Sequence, residues 1–418
     1  MLRGLHCRMT GLSHGYPGYG IRPVLARPPG EGTMRWPPNV RIVPFRTVPQ
    51  RRSPAPGVQR VHGRSRRYAG SVTTSADALS VAQVPDERFL ELARTAAHPV
   101  PIEQSPAWDT YDAAVPGRAP WRRLAVSAGD EPVALIAFSA FEGRGFRYLW
   151  AKHGPIWLSE QTPERELAVR RALVAYVKRE ASWCVFLRMH AKHPAPDLSD
   201  LLQTVTYDHT VIVDLLREED VIMQSFSKRG RYKTRRTLKD EAMTVAEETG
   251  LTDEEFGELY EIYRETASRD GFGIFGPDVY LTMLRSLGEH VRLWVARRHD
   301  TGPEGDLTPG RAVSWVISTV YDDAGVDVYA AGNAEARKTE AALRIKWHIL
   351  TTLKSEGVTQ YDLMGVGSDR APQLMGVREF KQQLGDVVEV DGAWDVPVKP
   401  LRYAALTQAL RLKHALGR

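Results

Sequence analysis

Beyond residue 80, two rhythms of apolar positions alternate along the chain. Short runs dense in β-branched and aromatic residues are separated by longer runs of helical period. PVALIAFSAF (132–141) and FRYLWAKHGPIW (146–157) predict a hairpin joined at Glu142-Gly143-Arg144-Gly145. PERELAVRRALVAYVKRE (163–180) sets Leu167, Val169, Leu173, Val174 and Val177 along one stripe and predicts a helix. WCVFLRMH (183–190) and HTVIVDL (209–215) predict two further strands. A helix over about 220–238 then gives way to a strand at MTVAEE. Thr252 with Glu255 forms a capping-box pattern ahead of Phe256, Leu259, Tyr260 and Tyr263. A helix around 277–288 leads to strands at 291–298, 312–322 and 325–332, the last two a hairpin turning at Asp322-Asp323-Ala324-Gly325. A long helix over 337–356 stops at Gly357, and a strand follows at TQYDLMGV (359–366). This is an α+β (mixed α/β) pattern, and its order of elements occurs twice in loose form.

Charge divides the chain unevenly. The first 70 residues hold 13 Arg, no Lys and a single acid, Glu31, so they carry about +12. With +5 overall, the remainder carries −7. Residues 1–75 are rich in Arg, Pro and Gly without apolar periodicity, which predicts a disordered tail. Three readings of it stay open: translation from upstream of the true start, a solvated tail, or a nucleic-acid arm. Against the acidic body, SFSKRGRYKTRRTLKDE (225–241) concentrates Lys228, Arg229, Arg231, Lys233, Arg235, Arg236 and Lys239. Such a cluster attracts phosphate or a membrane headgroup, or is simply a solvated helix face. At helical spacing Lys228, Arg231, Arg235 and Lys239 share one side, and Arg229, Lys233 and Arg236 another.

No run of about 18 apolar residues occurs, so no span is predicted and membrane contact would be peripheral. Cys7 and Cys184 are the two cysteines, without metal spacing, which suits a reducing, cytoplasmic setting.

Motifs remove several chemistries. Gly271-Phe-Gly273-Ile-Phe-Gly276 matches a dinucleotide fingerprint, but it follows a helical pattern and precedes Pro277, where that fingerprint needs a strand before it. GxxxxGK[ST], GxSxG, HExxH and paired CxxC are all missing, which disfavours ATP-driven ligation, an elbow serine and a zinc centre. Chemistry must then use an already activated substrate, and acyl transfer from an ester or thioester needs only positioning, proton management and a donor for the oxyanion. Coenzyme A is disfavoured, because AGNAEARKTEA (331–341) lacks the small-residue pattern of a pyrophosphate turn.

The line 327–390 carries VYAAG with Tyr329, Trp347 within a helix, Gly357, YDLMGV, and GVREFKQQLG with Phe380, Lys381 and Gly385; VPVKPLRYAAL (396–406) follows. Earlier, QSPAWDTY (104–111), KHGPIW (152–157) and HTVIVDL fit the same scheme. Over roughly residues 85–415 the chain resembles the FemABX family of peptidoglycan bridge aminoacyltransferases. The resemblance implies two tandem GNAT-like subdomains, here 80–215 and 216–395, with residues 396–418 returning to the first. It also implies transfer of an amino acid from aminoacyl-tRNA to the stem-peptide amine of a lipid-linked or nucleotide-linked muropeptide precursor, with no metal or soluble cofactor. Two departures stand out. The long helical arm of some members is replaced by the short RHDTGPEGDLTPGR (298–311), and Asp112 stands where other members have a lysine, with Arg118 nearby.

The resemblance suggests that Lys381 holds the donor or stabilises the oxyanion, where sequence alone reads a surface lysine. Tyr329 is either a strand aromatic or a hydroxyl donor beside the acceptor amine. Asp362 either orients that amine or accepts hydrogen bonds in a turn. Arg285, Lys228, Arg231, Arg235 and Phe380 are the candidate substrate contacts. Two alternatives remain: a GNAT-like acyltransferase using a donor such as acetyl-CoA on a small amine or polysaccharide precursor, and a nucleic-acid-binding protein.

Overall fold

The computed structural model describes residues 79–202, 206–300 and 310–415. The Arg-rich tail expected at 1–75 and most of the 298–311 loop lie outside the described residues. All described residues fall in one compact unit.

Two mixed sheets organise this unit. Six strands come first: β1 (Leu79–Gln83), β2 (Arg118–Ala128), β3 (Glu131–Gly143), β4 (Phe146–Trp150), β5 (Ile156–Trp157) and β6 (Cys184–Ala191). Then come β7 (His209–Asp214), β8 (Met243–Glu247), β9 (Val291–Arg298), β10 (Arg311–Tyr321), β11 (Ala324–Gly332), β12 (Gln360–Asp362) and β13 (Val387–Glu389), with β14 (Gly392–Pro397) last. The first sheet runs β1-β2-β3-β4-β6-β14, with β5 on β3; the second runs β13-β7-β12-β11-β10-β9-β8. Each holds one parallel pair, β4 with β6 and β11 with β12, among antiparallel ones. β7, placed before the expected boundary at 215, pairs in the second sheet, whereas β14 and the helix Pro400–Ala415 pack on the first.

The helix Pro163–Glu180 lays Val169, Leu173 and Val177, all unexposed, onto the first sheet. In the second sheet that place belongs to Ala341–Ser355, through Leu343, Ile345, Ile349, Leu350 and Leu353. A further core joins the halves: Trp108 and Tyr111 of the helix Pro106–Ala114 pack with Phe256, Tyr263, Tyr280 and Trp315. Truncating a buried Trp of this kind costs about 3–5 kcal/mol, so this shared core fixes the two sheets against each other.

Four elements differ from their sequence expectation, each for a local reason. The helix expected over 220–238 is two, Glu219–Ser225 and Lys228–Thr237, because Ser227 is extended and caps the second through the Gly230 amide. The helix expected over 337–356 is broken at Glu340, whose φ of 58° is left-handed. The strand expected over 146–157 stops at Trp150 and resumes at Ile156, and that expected over 359–366 stops at Asp362. These last two breaks face one cavity. Gly271 of the apparent fingerprint is the left-handed terminus of Asp253–Asp270, so the motif is a helix-ending turn.

Candidate active site

One wall grows from the break in the first sheet. Gln104 is fully buried in the short helix Ile102–Gln104, and its carboxamide donates to the Ala137 and Lys152 carbonyls (3.2 and 2.7 Å) while accepting from the Ala137 amide (2.8 Å). Gly154 lies so close to that carboxamide that a Cβ there would overlap it at 2.6 Å. This clamp turns the chain outward at Lys152 and His153 and places Glu103 beside them. His153 Nδ1 lies 3.1 Å from Glu103 Oε2, and Nε2 lies 3.0 Å from the Tyr207 hydroxyl, which donates to Met364 Sδ at 3.2 Å. His153 has φ 50°, a left-handed conformation that costs a non-glycine residue on the order of 1 kcal/mol and is held here from both ring nitrogens.

Electrostatics follow from these contacts. Burial would raise the Glu103 carboxyl, but the charge and hydrogen bond of His153 hold it at about 2. Burial would lower His153, and Glu103 overcomes it, so the imidazole lies above its usual value. His190, 4.9 Å from His153 between ring centres, is pushed to about 3 by burial and by the His153 charge, so it stays neutral. Lys152 is 4% exposed, 3.4 Å from Asp112, and its ammonium faces Trp108 at 4.8 Å, Phe141 at 5.2 Å and Trp150 at 5.4 Å. Burial lowers it to about 8.

The opposite wall comes from the second sheet. The β10–β11 register slips between Ile317 and Ser318, a bulge at Val328. The parallel β11–β12 pairing ends at Val326 with Asp362. Beyond it the paired register ends, and the Met364 and Gly365 carbonyls follow outside the strand. Lys381 Nζ donates to both, at 2.9 and 3.1 Å. Burial lowers this ammonium to about 8, with Asp327 opposing. Asp327 is held by Lys346 and the Tyr361 hydroxyl, so a charged side chain sits stably within an apolar strand. Met364 is left-handed (φ 65°), and the Tyr207 ring crosses Gly365 so closely that a Cβ there would lie 2.4 Å from it.

Between the walls lies a cavity of about 200 Å³. Lys152, His153, His190 and Tyr207 line it from one side, and Asp327, Tyr329, Met364 and Lys381 from the other; Trp150, Phe272, Leu363 and Leu374 make much of the rest apolar. Two buried ammonium groups and a histidine with a carboxylate behind it, around an apolar space, suit the handling of an acyl group and a nearby amine.

Residues 313–411, which include Tyr329, Asp362 and Lys381, match the FemAB family. The solved structure of FemX superposes with a TM-score of 0.60 at 14% identity, covering 78% of this chain and all of that one. The family match is thus confined to residues 313–411, and the likeness to FemX is one of fold. No curated protein sequence matches the chain. Two more solved structures align with lower TM-scores of 0.45. L-PGS from Bacillus licheniformis is 14% identical, covering 78% of this chain and 98% of that one, and a tandem GNAT protein from the clavulanic acid biosynthesis pathway is 12% identical, covering 77% and 99%. The duplicated element order corresponds to two mixed sheets, each with one parallel pair.

The candidate residues named from the sequence are not all brought together. Lys381 and Tyr329 reach the cavity; Tyr329 is 5% exposed, packs edge-on to Tyr280 at 4.9 Å, and has its hydroxyl pushed well up by burial. Asp362 lies behind the wall, accepting from Thr210 and from the Met364 amide (2.7 Å), a strand-end turn acceptor that shapes the Met364 carbonyl on which Lys381 rests. Phe380 packs into the second-sheet core beside Lys381. Arg285 is exposed and paired with Asp253 on an outer helix. Arg231 donates to the Gln224 and Phe226 carbonyls, closing the preceding helix, and Lys233 pairs with Glu340 at 2.5 Å. Lys228 and Arg235 remain exposed on the Lys228–Thr237 helix, and Lys239 lies beyond its end. That helix is tied to the segment after Lys381 by the Ser227 amide, which donates to the Gln383 carbonyl (3.1 Å).

Sequence reasoning missed Glu103, Lys152, His153, Tyr207 and Asp327. A signal existed for three: Lys152 and His153 precede the Gly-Pro of KHGPIW, and Asp327 interrupts an apolar strand. The position Asp112, read as a lost cationic contact, is buried and pairs with Arg118 (3.5 Å) and with Lys152 (3.4 Å), whose side chain lines the cavity.

Proposed function

We propose that this chain is an aminoacyltransferase of peptidoglycan bridge formation, moving an amino acid from aminoacyl-tRNA to the stem-peptide amine of a muropeptide precursor. The observation that carries this reading is Lys381, an ammonium buried against two backbone carbonyls at the edge of a largely apolar cavity. In amide formation from an ester, the acceptor nitrogen forms the C–N bond, the C–O bond breaks, and the donor leaves as an alcohol. Negative charge gathers on the carbonyl oxygen, and an ammonium already stripped of water stabilises it without reorganising solvent. Removing one such donor costs about 10²- to 10³-fold in kcat. The Tyr329 hydroxyl lines the same space as a candidate partner of the acceptor amine. Exposed Lys228 and Arg235, on a helix tied to the Lys381 segment, supply charge for donor or precursor phosphates. Among the described residues no helix is long and apolar enough to cross a membrane, so a lipid-linked acceptor would be met at a membrane surface.

The test is incubation of the purified chain with lipid-linked or nucleotide-linked muropeptide and a mixture of charged tRNAs, followed by mass spectrometry. A gain of one aminoacyl residue is expected. An acetyl increment with acetyl-CoA in its place would assign a different donor, and no change with either would overturn the reading.

A further inference from the structure

We propose that Glu103, His153 and Tyr207 form a proton relay for the transfer step, with Tyr207 and His153 as catalytic residues and Glu103 as a positioning residue. This rests on the transfer reading above. Three observations outside the Lys381 wall carry it. The three side chains form an unbroken chain, carboxylate to imidazole at 3.1 Å and imidazole to phenol at 3.0 Å. Its far end opens where transfer would occur, since His153 and Tyr207 line the cavity opposite Tyr329 and Lys381. Its near end is built for aim: Gln104, next to Glu103, holds the Lys152 carbonyl next to His153 and accepts from the Ala137 amide, and His153 is kept left-handed, a conformation that tertiary contacts must maintain.

The Tyr207 hydroxyl has two acceptors within reach, Met364 Sδ at 3.2 Å and His153 Nε2. With the imidazole neutral, Nδ1–H donates to Glu103 and the phenol turns to donate to Nε2. When the acceptor amine has formed its C–N bond, it carries one proton too many. Tyr207 takes that proton while passing its own to Nε2, and Glu103 stabilises the imidazolium. The C–O bond then breaks, the departing oxygen keeps the electron pair, and the proton returns along the same path to give the alcohol. Amine and ester become amide and alcohol, and every relay residue ends as it began.

His153 must be neutral to start, so kcat rises with pH through its titration. The groups facing it are Glu103, Lys152, His190, Tyr207 and Asp362. Glu103 raises the imidazole most, so removing its charge shifts the acid limb to lower pH. Lys381 needs its proton, which places an alkaline limb near 8 that Glu103 does not govern.

The experiment measures kcat against pH for the wild type, Glu103→Gln, His153→Asn and Tyr207→Phe, together with NMR titration of the His153 imidazole in the free protein. Asn tolerates the left-handed backbone at 153, so this variant removes the imidazole and keeps the turn. Expected are a His153 titration above 6.5 in the wild type that falls in Glu103→Gln, an acid limb moving with it, and losses of about 10²-fold or more in kcat for His153→Asn and Tyr207→Phe. If the wild type transfers and these variants keep its rate and profile, the relay is overturned and the transfer reading stands. If Glu103→Gln leaves the His153 titration unchanged, the relay is likewise overturned. If the wild type transfers nothing from any donor, the transfer reading falls and the relay falls with it.

Discussion

Lys152 and Lys381 face one cavity from opposite sheets, and burial lowers both ammonium groups to about 8, yet their surroundings differ in kind. Lys152 rests among three aromatic rings with the Asp112 carboxylate 3.4 Å away. Lys381 rests on two neutral backbone carbonyls just past the end of β12. A carboxylate partner neutralises an ammonium and fixes it; carbonyl oxygens hold it without cancelling its charge. On the proposed reading Lys381 is the group that would face a developing oxyanion, whereas Lys152 belongs to a charge cluster with Asp112 and Arg118 that shapes the opposite wall.

Breaking the comparison on the Lys381 side should give the largest effect. Lys381→Met is expected to lower kcat by about 10³-fold, at the upper end for a lost oxyanion donor, with circular dichroism unchanged. Its thermal midpoint should stay close to wild type, because relief of a buried charge offsets two carbonyls left unsatisfied, each effect amounting to about 1–3 kcal/mol. A turnover near wild type would remove Lys381 from the chemistry. On the other wall, Asp112→Asn removes the carboxylate shared by Arg118 and Lys152; a loss of about 3 kcal/mol is expected in denaturant unfolding, the usual result of leaving buried cations uncompensated.

Lys152→Met should raise KM, by about 10-fold, with kcat changed less, and an equal fall in kcat and kcat/KM would make the two lysines alike. A pH titration sharpens the same contrast. Each lysine titrates near 8 in the folded state against 10.5 ordinarily, so the unfolded chain binds more protons in this window. Stability should rise as pH goes from about 8 to 10.5, by roughly 3 kcal/mol for each lysine, and the rise should shrink in either Met variant. Arg285→Ala should have the smallest effect, under about 2-fold on kcat/KM, since that side chain is exposed and paired with Asp253 away from the cavity. A 10-fold loss would bring its helix into the site.

Much of the fold was legible because its signals are local. The stripe at Val169, Leu173 and Val177 marks a helix wherever it packs, and Thr252 with Glu255 caps one by contacts three residues apart. The candidate site was legible in part. Lys381 and Tyr329 could be named because they stand inside a sequence motif, but Arg285 and Arg231 could not be separated from them by residue type alone. Arg231 is spent on two carbonyls of its own helix junction, a contact that depends on the break at Ser227. The expected strands 146–157 and 359–366 have an unbroken β pattern, and both are interrupted where they meet the cavity.

The sequence by itself determined the alternation of strands and helices, their loose duplication, the density of charge at 228–239 and the motif that carries Lys381. Those properties depend on periodicity, composition and short spacing, which any stretch of chain displays before it folds. Only the tertiary structure decided which charges face solvent and which face the cavity, and that Glu103 would meet His153 and Tyr207 across 104 residues of chain. The reason is that burial and pairing depend on neighbours distant in sequence: an ammonium on two backbone carbonyls and an imidazole between a carboxylate and a phenol exist only after both sheets have closed on their shared core.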